Sequence, residues 1–182
     1  MLEEELLTRA RDGDTAAFNA LLERHSGAVW NYLLRFMPGT ADCEDLFQDV
    51  FVKAWLKLDS YNCGRGAFRA WLLRIAATAS LDELKRRRRE RARVETWAED
   101  ADTIRAPHHG SRSDPSIEAV RNAVGSLPDT ERQTVVLSFY HDLSMPRIAA
   151  LLGIPLGTVK SRMRSALARL REQAPIYKVG DE

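Results

Sequence analysis

The chain has 182 residues, 45% of them hydrophobic, with 27 Lys and Arg against 26 Asp and Glu and a formal net charge of +1. That length supports one large domain or two small ones, and the near-neutral balance conceals opposite local charges. With no apolar run of membrane length, no leader pattern and two isolated cysteines, Cys43 and Cys63, it reads as a soluble cytoplasmic protein without membrane insertion or a disulfide framework.

Almost every periodic segment has helical spacing, so the expected class is all-α. After a short acidic start, Asp12-Gly13-Asp14 interrupts the pattern, and Asp14 is placed to cap a helix through Phe18, Leu21, Val29, Leu33 and Phe36, closed by Pro38-Gly39. A second helix, about residues 41–58, puts Phe47, Val50, Phe51, Ala54 and Leu58 on a core face. Its opposite face carries Asp45, Gln48 and Asp49 with Val52 and Leu56 in the same stripe. Aliphatics bordered by acids suit a partner with a basic, partly apolar surface, and an ordinary solvated face is the competing reading.

Residues 59–66, Asp-Ser-Tyr-Asn-Cys-Gly-Arg-Gly, form a turn-rich loop. The helix that follows, 67–89, offers Phe68, Trp71, Leu72, Ile75, Ala79 and Leu84 to a core, while Arg69, Arg74 and the basic run from Lys85 project outward. A cationic face beside a loop bearing Tyr61 and Asn62 suits phosphates and unstacked bases, although a charge run by itself is more often simply solvated.

Periodicity fades from about 95 to 113, a polar, turn-rich stretch expected to be a linker. His108 and His109 have no neighbours completing a ligand set, so neither metal nor cofactor is expected. Asp114-Pro115 then starts a helix through Val124, and another follows Leu127-Pro128 with Val135, Val136 and Phe139 inward.

Residues 143–171 read as a helix-turn-helix. Ser144 is a potential cap, Pro146 falls in the first turn, Gly153 ends the first helix and Ile154-Pro155 redirects the chain. On the second helix Val159, Met163, Ala166 and Leu170 make a core stripe, opposite Thr158, Ser161, Ser165 and Ala168, flanked by Lys160, Arg162, Arg164 and Arg169. Small residues that permit insertion, with long cations at their edges, suit a DNA major groove. A basic solvated helix in a bundle is the alternative.

The motifs Gly13-Asp14 with Ala17-Phe18, Glu44-Asp-Leu-Phe-Gln-Asp-Val-Phe51 with Trp55, Gly66-Ala-Phe-Arg-Ala-Trp-Leu72, Leu127-Pro128 and Gly153-Ile-Pro-Leu-Gly-Thr-Val-Lys-Ser-Arg162 occur in an order that resembles a bacterial extracytoplasmic-function (ECF) sigma factor, of group IV of the sigma-70 family. The resemblance covers nearly the whole chain. It implies a sigma region 2 bundle over 1–93, a flexible linker over 94–114, a sigma region 4 helix-turn-helix over 115–173 and a tail over 174–182. It further implies core RNA polymerase docking through Asp45, Gln48, Asp49, Val52 and Leu56. Contact with the −10 element would fall to Tyr61, Asn62, Arg69, Arg74, Thr78, Arg86 and Arg87, and reading of the −35 element to Thr158, Lys160, Ser161, Arg162, Arg164 and Ser165.

Under the same resemblance the partners are core RNA polymerase, promoter DNA and an anti-sigma factor, for which the exposed Val52 and Leu56 are contact candidates. Ala77-Thr78 departs from the Arg-Asn pair common in the family, as Pro146-Arg147 does from its usual acidic residues. A helix-turn-helix repressor or activator independent of polymerase would explain only the C-terminal half. A nuclease would need clustered carboxylates or histidines, and the acids here are spread along helix faces, so no catalytic residue is expected.

Overall fold

The computed structural model describes residues 2–37, 40–95 and 115–173. Among these the regular elements are all helical: α1 (Glu3–Arg11), α2 (Thr15–Phe36), α3 (Thr40–Leu56), α4 (Phe68–Glu95), α5 (Pro115–Gly125), α6 (Asp129–Phe139), α7 (Met145–Leu152) and α8 (Leu156–Gln173). Single 3-10 turns at Leu58–Ser60 and Cys63–Arg65 shape the segment between α3 and α4. No described helix is long and apolar enough to cross a membrane.

The acidic start forms a helix of its own, burying Leu6, Leu7 and Ala10 against α2. Asp14 caps α2 as its position suggests: its side chain accepts from the Ala17 amide at 3.1 Å and from Arg9 at 2.6 Å. The backbone donor and the guanidinium together hold its carboxyl below the usual range. Helices α2, α3 and α4 then close a bundle over Leu21, Val29, Leu33, Val50, Ala54, Phe68 and Leu72, each essentially without exposure. Burying one such side chain stabilises by about 1.5–3 kcal/mol, which makes this the main source of cohesion in the N-terminal half. Aromatic edges lock its rim, Phe18 to Trp55 at 4.8 Å and Phe47 to Phe51 at 4.7 Å. Proposed closure of α2 by Pro38-Gly39 lies outside the described residues.

In the C-terminal half α6 is the central support for α7 and α8. Val135, Val136, Leu137, Ile148, Val159, Met163 and Ala166 are buried together. Phe139, expected inward, is 62% exposed. It is the last residue of α6, and the buried positions 132–137 span more than one face of that helix, because α6 is covered from two sides. Gly153 takes the left-handed conformation (φ +67°) that ends α7, where a Cβ is disfavoured. Ser144 has extended backbone at the start of α7 but makes no capping bond through its hydroxyl.

The two halves pack directly against one another, α6 on α2 and α7 on α4. The helix α4 runs to Glu95, slightly beyond the helix expected from the sequence. Residues 96–114, including His108 and His109, lie outside the described residues.

Candidate nucleic-acid and polymerase interfaces

On α3, residues 45, 49, 52 and 56 recur at three- and four-residue spacing, so their side chains share one face with Gln48 at its edge. All five are exposed, Val52 at 58% and Leu56 at 75%. The opposite face holds Cys43, Leu46, Val50, Phe51 and Ala54 in the bundle. Asp49 is paired loosely with Lys53 at 3.9 Å. An acidic margin around two exposed aliphatics is thus present as a rigid, outward-facing stripe.

The loop after α3 is held from both ends. Tyr61 is buried, its ring against Phe68 and Trp71 at 5.2 and 5.5 Å, and its hydroxyl donates to the Gly66 carbonyl at 3.0 Å. Tyr61 was expected on the DNA side; its position makes it the anchor that fixes the loop. Asn62 remains exposed, its carbonyl oxygen accepting from the Gly64 amide at 2.8 Å. The sequence pattern gave no sign of Arg11, whose guanidinium donates to the Tyr61 carbonyl and lies 6.0 Å from the Tyr61 ring. Between α1 and this loop is a cleft of about 710 Å³ lined in part by Glu4, Arg11, Asp59 and Asn62. Cys63 at its margin is exposed, whereas Cys43 is buried, and both are free thiols.

Along α4, Phe68 and Leu72 enter the core as expected, with Trp71 and Ile75 half-buried. Arg69, Arg74 and Thr78 are exposed. Arg69 nevertheless reaches His141 of the other half at 3.5 Å, and the Arg74 guanidinium lies beside the Gly153 turn. The basic run is not uniformly available. Glu83 accepts from Arg86 at 2.7 Å and Arg87 at 2.6 Å, and Arg86 also donates to Glu90 at 2.6 Å. The Arg86 hydrogen bond, followed by that of Arg87, holds the Glu83 carboxyl down to about 2. Arg86 and Arg87, expected at the −10 element, each carry ion pairs within their own helix, with Arg86 exposed and Arg87 half-buried. Arg88 forms a 2.8 Å pair with Asp129 of α6.

The helix-turn-helix has the geometry expected of it. The Pro155 carbonyl accepts from the Thr158 and Val159 amides at 2.9 and 3.2 Å, starting α8 immediately after the turn. Val159, Met163 and Ala166 are buried and Leu170 is half-buried. Lys160, Ser161, Arg164 and Ser165 are exposed, with Thr158 and Arg162 half-buried at the edges. Arg169 is turned back onto Glu131 of α6 at 3.2 Å, which gives it a structural partner. Among the described residues no group of His, Cys, Asp or Glu is arranged to hold a metal ion.

An exposed acidic and aliphatic face of α3 in one half and a helix-turn-helix in the other accompany sequence matches that place the chain in the sigma-70 class. The family description Sigma-70 region 2 matches residues 21–90, and Sigma-70, region 4 matches 123–172. The ECF RNA polymerase sigma-E factor of Escherichia coli is 30% identical over 90% of this chain and 89% of its own length. Among solved structures, CnrH in complex with the cytosolic domain of CnrY is 28% identical with a TM-score of 0.69, covering 97% of this chain and 99% of that one. The sigma factor RpoE of Bartonella quintana in complex with the anti-sigma factor NepR is 26% identical with a TM-score of 0.70, covering 88% and 98%. The chain belongs to the ECF family of RNA polymerase sigma factors.

Proposed function

We propose that this protein acts as an alternative sigma factor, binding core RNA polymerase, recognising −10 and −35 promoter elements and promoting melting for transcription initiation. The observation that carries the reading is the presence, on one chain, of the exposed α3 stripe and the exposed cationic face of α8. A repressor or activator working without polymerase accounts for α7 and α8 alone.

In this reading Asp45, Gln48, Asp49, Val52 and Leu56 dock on polymerase, the acids steering the approach and the aliphatics supplying burial. Asn62, Arg69, Arg74 and Thr78 meet the −10 strand, on a loop that Tyr61 and Arg11 hold in place. Lys160, Arg162 and Arg164, with Thr158, Ser161 and Ser165, read the −35 element in the major groove. The N-terminal bundle and the helix-turn-helix serve different promoter elements, and residues 96–114 join them along the chain. Melting needs no bond chemistry: preferential binding of unstacked bases shifts the duplex equilibrium, so the protein works as a non-enzymatic subunit in the cytoplasm. An anti-sigma factor is its proposed regulator, supported by the anti-sigma complex of the Bartonella relative.

Run-off transcription with core RNA polymerase on a library of promoter fragments tests this function. Initiation that depends on the protein and selects a shared pair of upstream elements is expected. Absence of initiation, together with tight polymerase-independent binding to duplex sites, would replace it by the repressor reading.

A further inference from the structure

The first helix of the helix-turn-helix, α7, buries Ile148 and Leu151 and half-buries Met145, Ala149 and Leu152, which leaves Pro146, Arg147 and Ala150 exposed. Arg147 stands in the first turn, ahead of or beside amides that precede the first helical bond, from the Ile148 amide to the Ser144 carbonyl at 2.9 Å. The partial positive charge of such amides disfavours a cation next to them. Helices α1 and α6 follow that rule, with Glu3, Glu4 and Glu5 in one first turn and Asp129 and Glu131 in the other. The first turn of α7 has no acid, and the hydroxyl of Ser144 does not cap it.

Neighbouring acids do not offset this. Arg132 is held by Asp129 at 3.0 Å and Arg169 by Glu131 at 3.2 Å. The Arg147 side chain, by contrast, makes no ion pair or hydrogen bond among the described residues, and Asp142 ahead of α7 is not paired with it. Lys160, Arg162 and Arg164 of α8 are likewise without ion-pair partners among the described residues. A local rule broken with no internal compensation points to an external one, here an anion.

The motif selects which anion. In a helix-turn-helix the second helix enters the major groove while the first crosses the sugar-phosphate backbone. Arg147 is set about 9 Å before the Gly153 turn along α7, at about 1.5 Å per residue, on the helix that meets backbone rather than bases. Uncharged Pro146 and Ala150 share its exposed surface, and α7 has no acid to repel a strand.

We propose that Arg147 is a further DNA-contacting residue, which holds a backbone phosphate at the border of the −35 element while α8 reads the bases. The contact rests on the −35 role proposed above for the helix-turn-helix. It assigns Arg147 to affinity and register, not to base choice. Since Pro146-Arg147 departs from the acidic residues usual in the family, the contact is a property of this chain.

The test uses holoenzyme assembled from the full chain and core RNA polymerase, with promoter affinity measured at several salt concentrations on a panel of −35 sequences. Arg147→Ala should weaken binding about fivefold at about 0.1 M salt, equally on every sequence, and reduce the slope of log affinity against log salt by about one. Arg147→Lys should restore most of the loss, since a phosphate accepts a point charge. Arg147→Glu should weaken binding further yet keep or raise the melting temperature of the free protein, because an acid suits that end of α7. Duplexes with a single methylphosphonate at successive positions locate the partner: one neutralised phosphate should cost the wild type the same factor and Arg147→Ala nothing. Equal sensitivity of both proteins at every phosphate, or a loss confined to one base pair, overturns the contact. Weaker binding to core polymerase without DNA assigns Arg147 to a protein partner instead, and a lowered melting temperature in both the Ala and Glu variants makes it a support of α7. The double variant Lys160→Ala with Arg164→Ala is the reference. If that variant loses affinity and Arg147→Ala does not, only the Arg147 contact fails; if neither loses affinity, the −35 role of the helix-turn-helix fails with it.

Discussion

The amide of Gln133 donates to the backbone carbonyl of Ala77 at 2.9 Å, joining α6 to the middle of α4 across 56 positions of sequence. That carbonyl already belongs to a helical turn, and using its second lone pair requires close approach of the two helices. Ala77 is fully buried at this point. Ala77→Arg is therefore expected to force the halves apart or leave an unpaired cation between them, whereas Ala77→Gly keeps the approach open. Overpacking of this kind costs about 1–3 kcal/mol. Melting curves and an inter-half distance for both variants check it: equal distances in wild type and Ala77→Arg would show that the side chain is not confined by α6.

Acid should weaken the same contact. His141 is 4% exposed and lies 6.0 Å from the Tyr32 ring. Burial, reinforced by Arg69 of α4 and Arg35 of α2 and opposed by Asp142 beside it, pushes its imidazole down to about 4. Because the packed form holds the neutral ring, its contribution is complete above pH 6.5 and is lost progressively as pH falls toward about 4. The loss amounts to at most about 3 kcal/mol. Unfolding and the inter-half distance followed between pH 7 and 4 should share this dependence, and His141→Leu should flatten it. An unchanged slope in that variant would assign the acid sensitivity to other groups.

Much of this architecture is readable from residue order, and the exceptions have physical causes. Apolar residues at helical spacing identify the inner faces of α2, α3 and α8, and Gly153 marks the turn because a left-handed residue is needed there. The α1 helix shows in the sequence only as an acidic start, since three buried residues in nine make a short signal. Tyr61 and Phe139 exchanged roles relative to expectation because pattern alone does not tell which aromatic a neighbouring helix will cover. Gln133, Ser80 and Arg132 are polar residues at buried positions, so hydrophobic periodicity is silent about the interface they build. The ion pairs that engage Arg86 and Arg87 are at three- and four-residue spacing from Glu83, a local signal that a count of the basic run overlooks.

Arg11 should matter to the loop more than to the fold. It is exposed on α1, outside the stretch matched to region 2, and its guanidinium supplies a charged donor to the Tyr61 carbonyl. Hydrogen bonds to charged groups contribute about 1.5–3 kcal/mol. Arg11→Ala is expected to speed hydrogen exchange across residues 59–66 and weaken selection at the −10 element, with partial recovery in Arg11→Lys. Binding to core polymerase and to the −35 element should be unchanged. Uniform loss of all three activities would instead mark Arg11 as a support of the whole bundle.

On α3 the acids and the aliphatics are expected to fail differently. Asp49→Lys reverses a charge whose carboxylate is 66% exposed, so it should slow association with polymerase in a salt-dependent way without lowering the melting temperature. Leu56→Asp should accelerate dissociation and cost about 2 kcal/mol if the side chain occupies an apolar pocket at the centre of the contact. Binding kinetics at two ionic strengths separate these effects. Unaltered rates in both variants would remove this face of α3 from the interface.

Arg164 tests the other end of the molecule. Its exposed side chain lies on α8 with Lys160, Ser161 and Ser165, opposite Met163 and Ala166 in the core. If the guanidinium meets a base edge, Arg164→Ala should cost about 1–3 kcal/mol at one position of the −35 element and relax preference there. If it meets phosphate, affinity should fall evenly across sequences and the salt dependence should shrink by about one counterion. Promoter libraries assayed with the variant holoenzyme at two salt concentrations distinguish these outcomes. No change in either preference or salt dependence would place Arg164 outside the DNA interface.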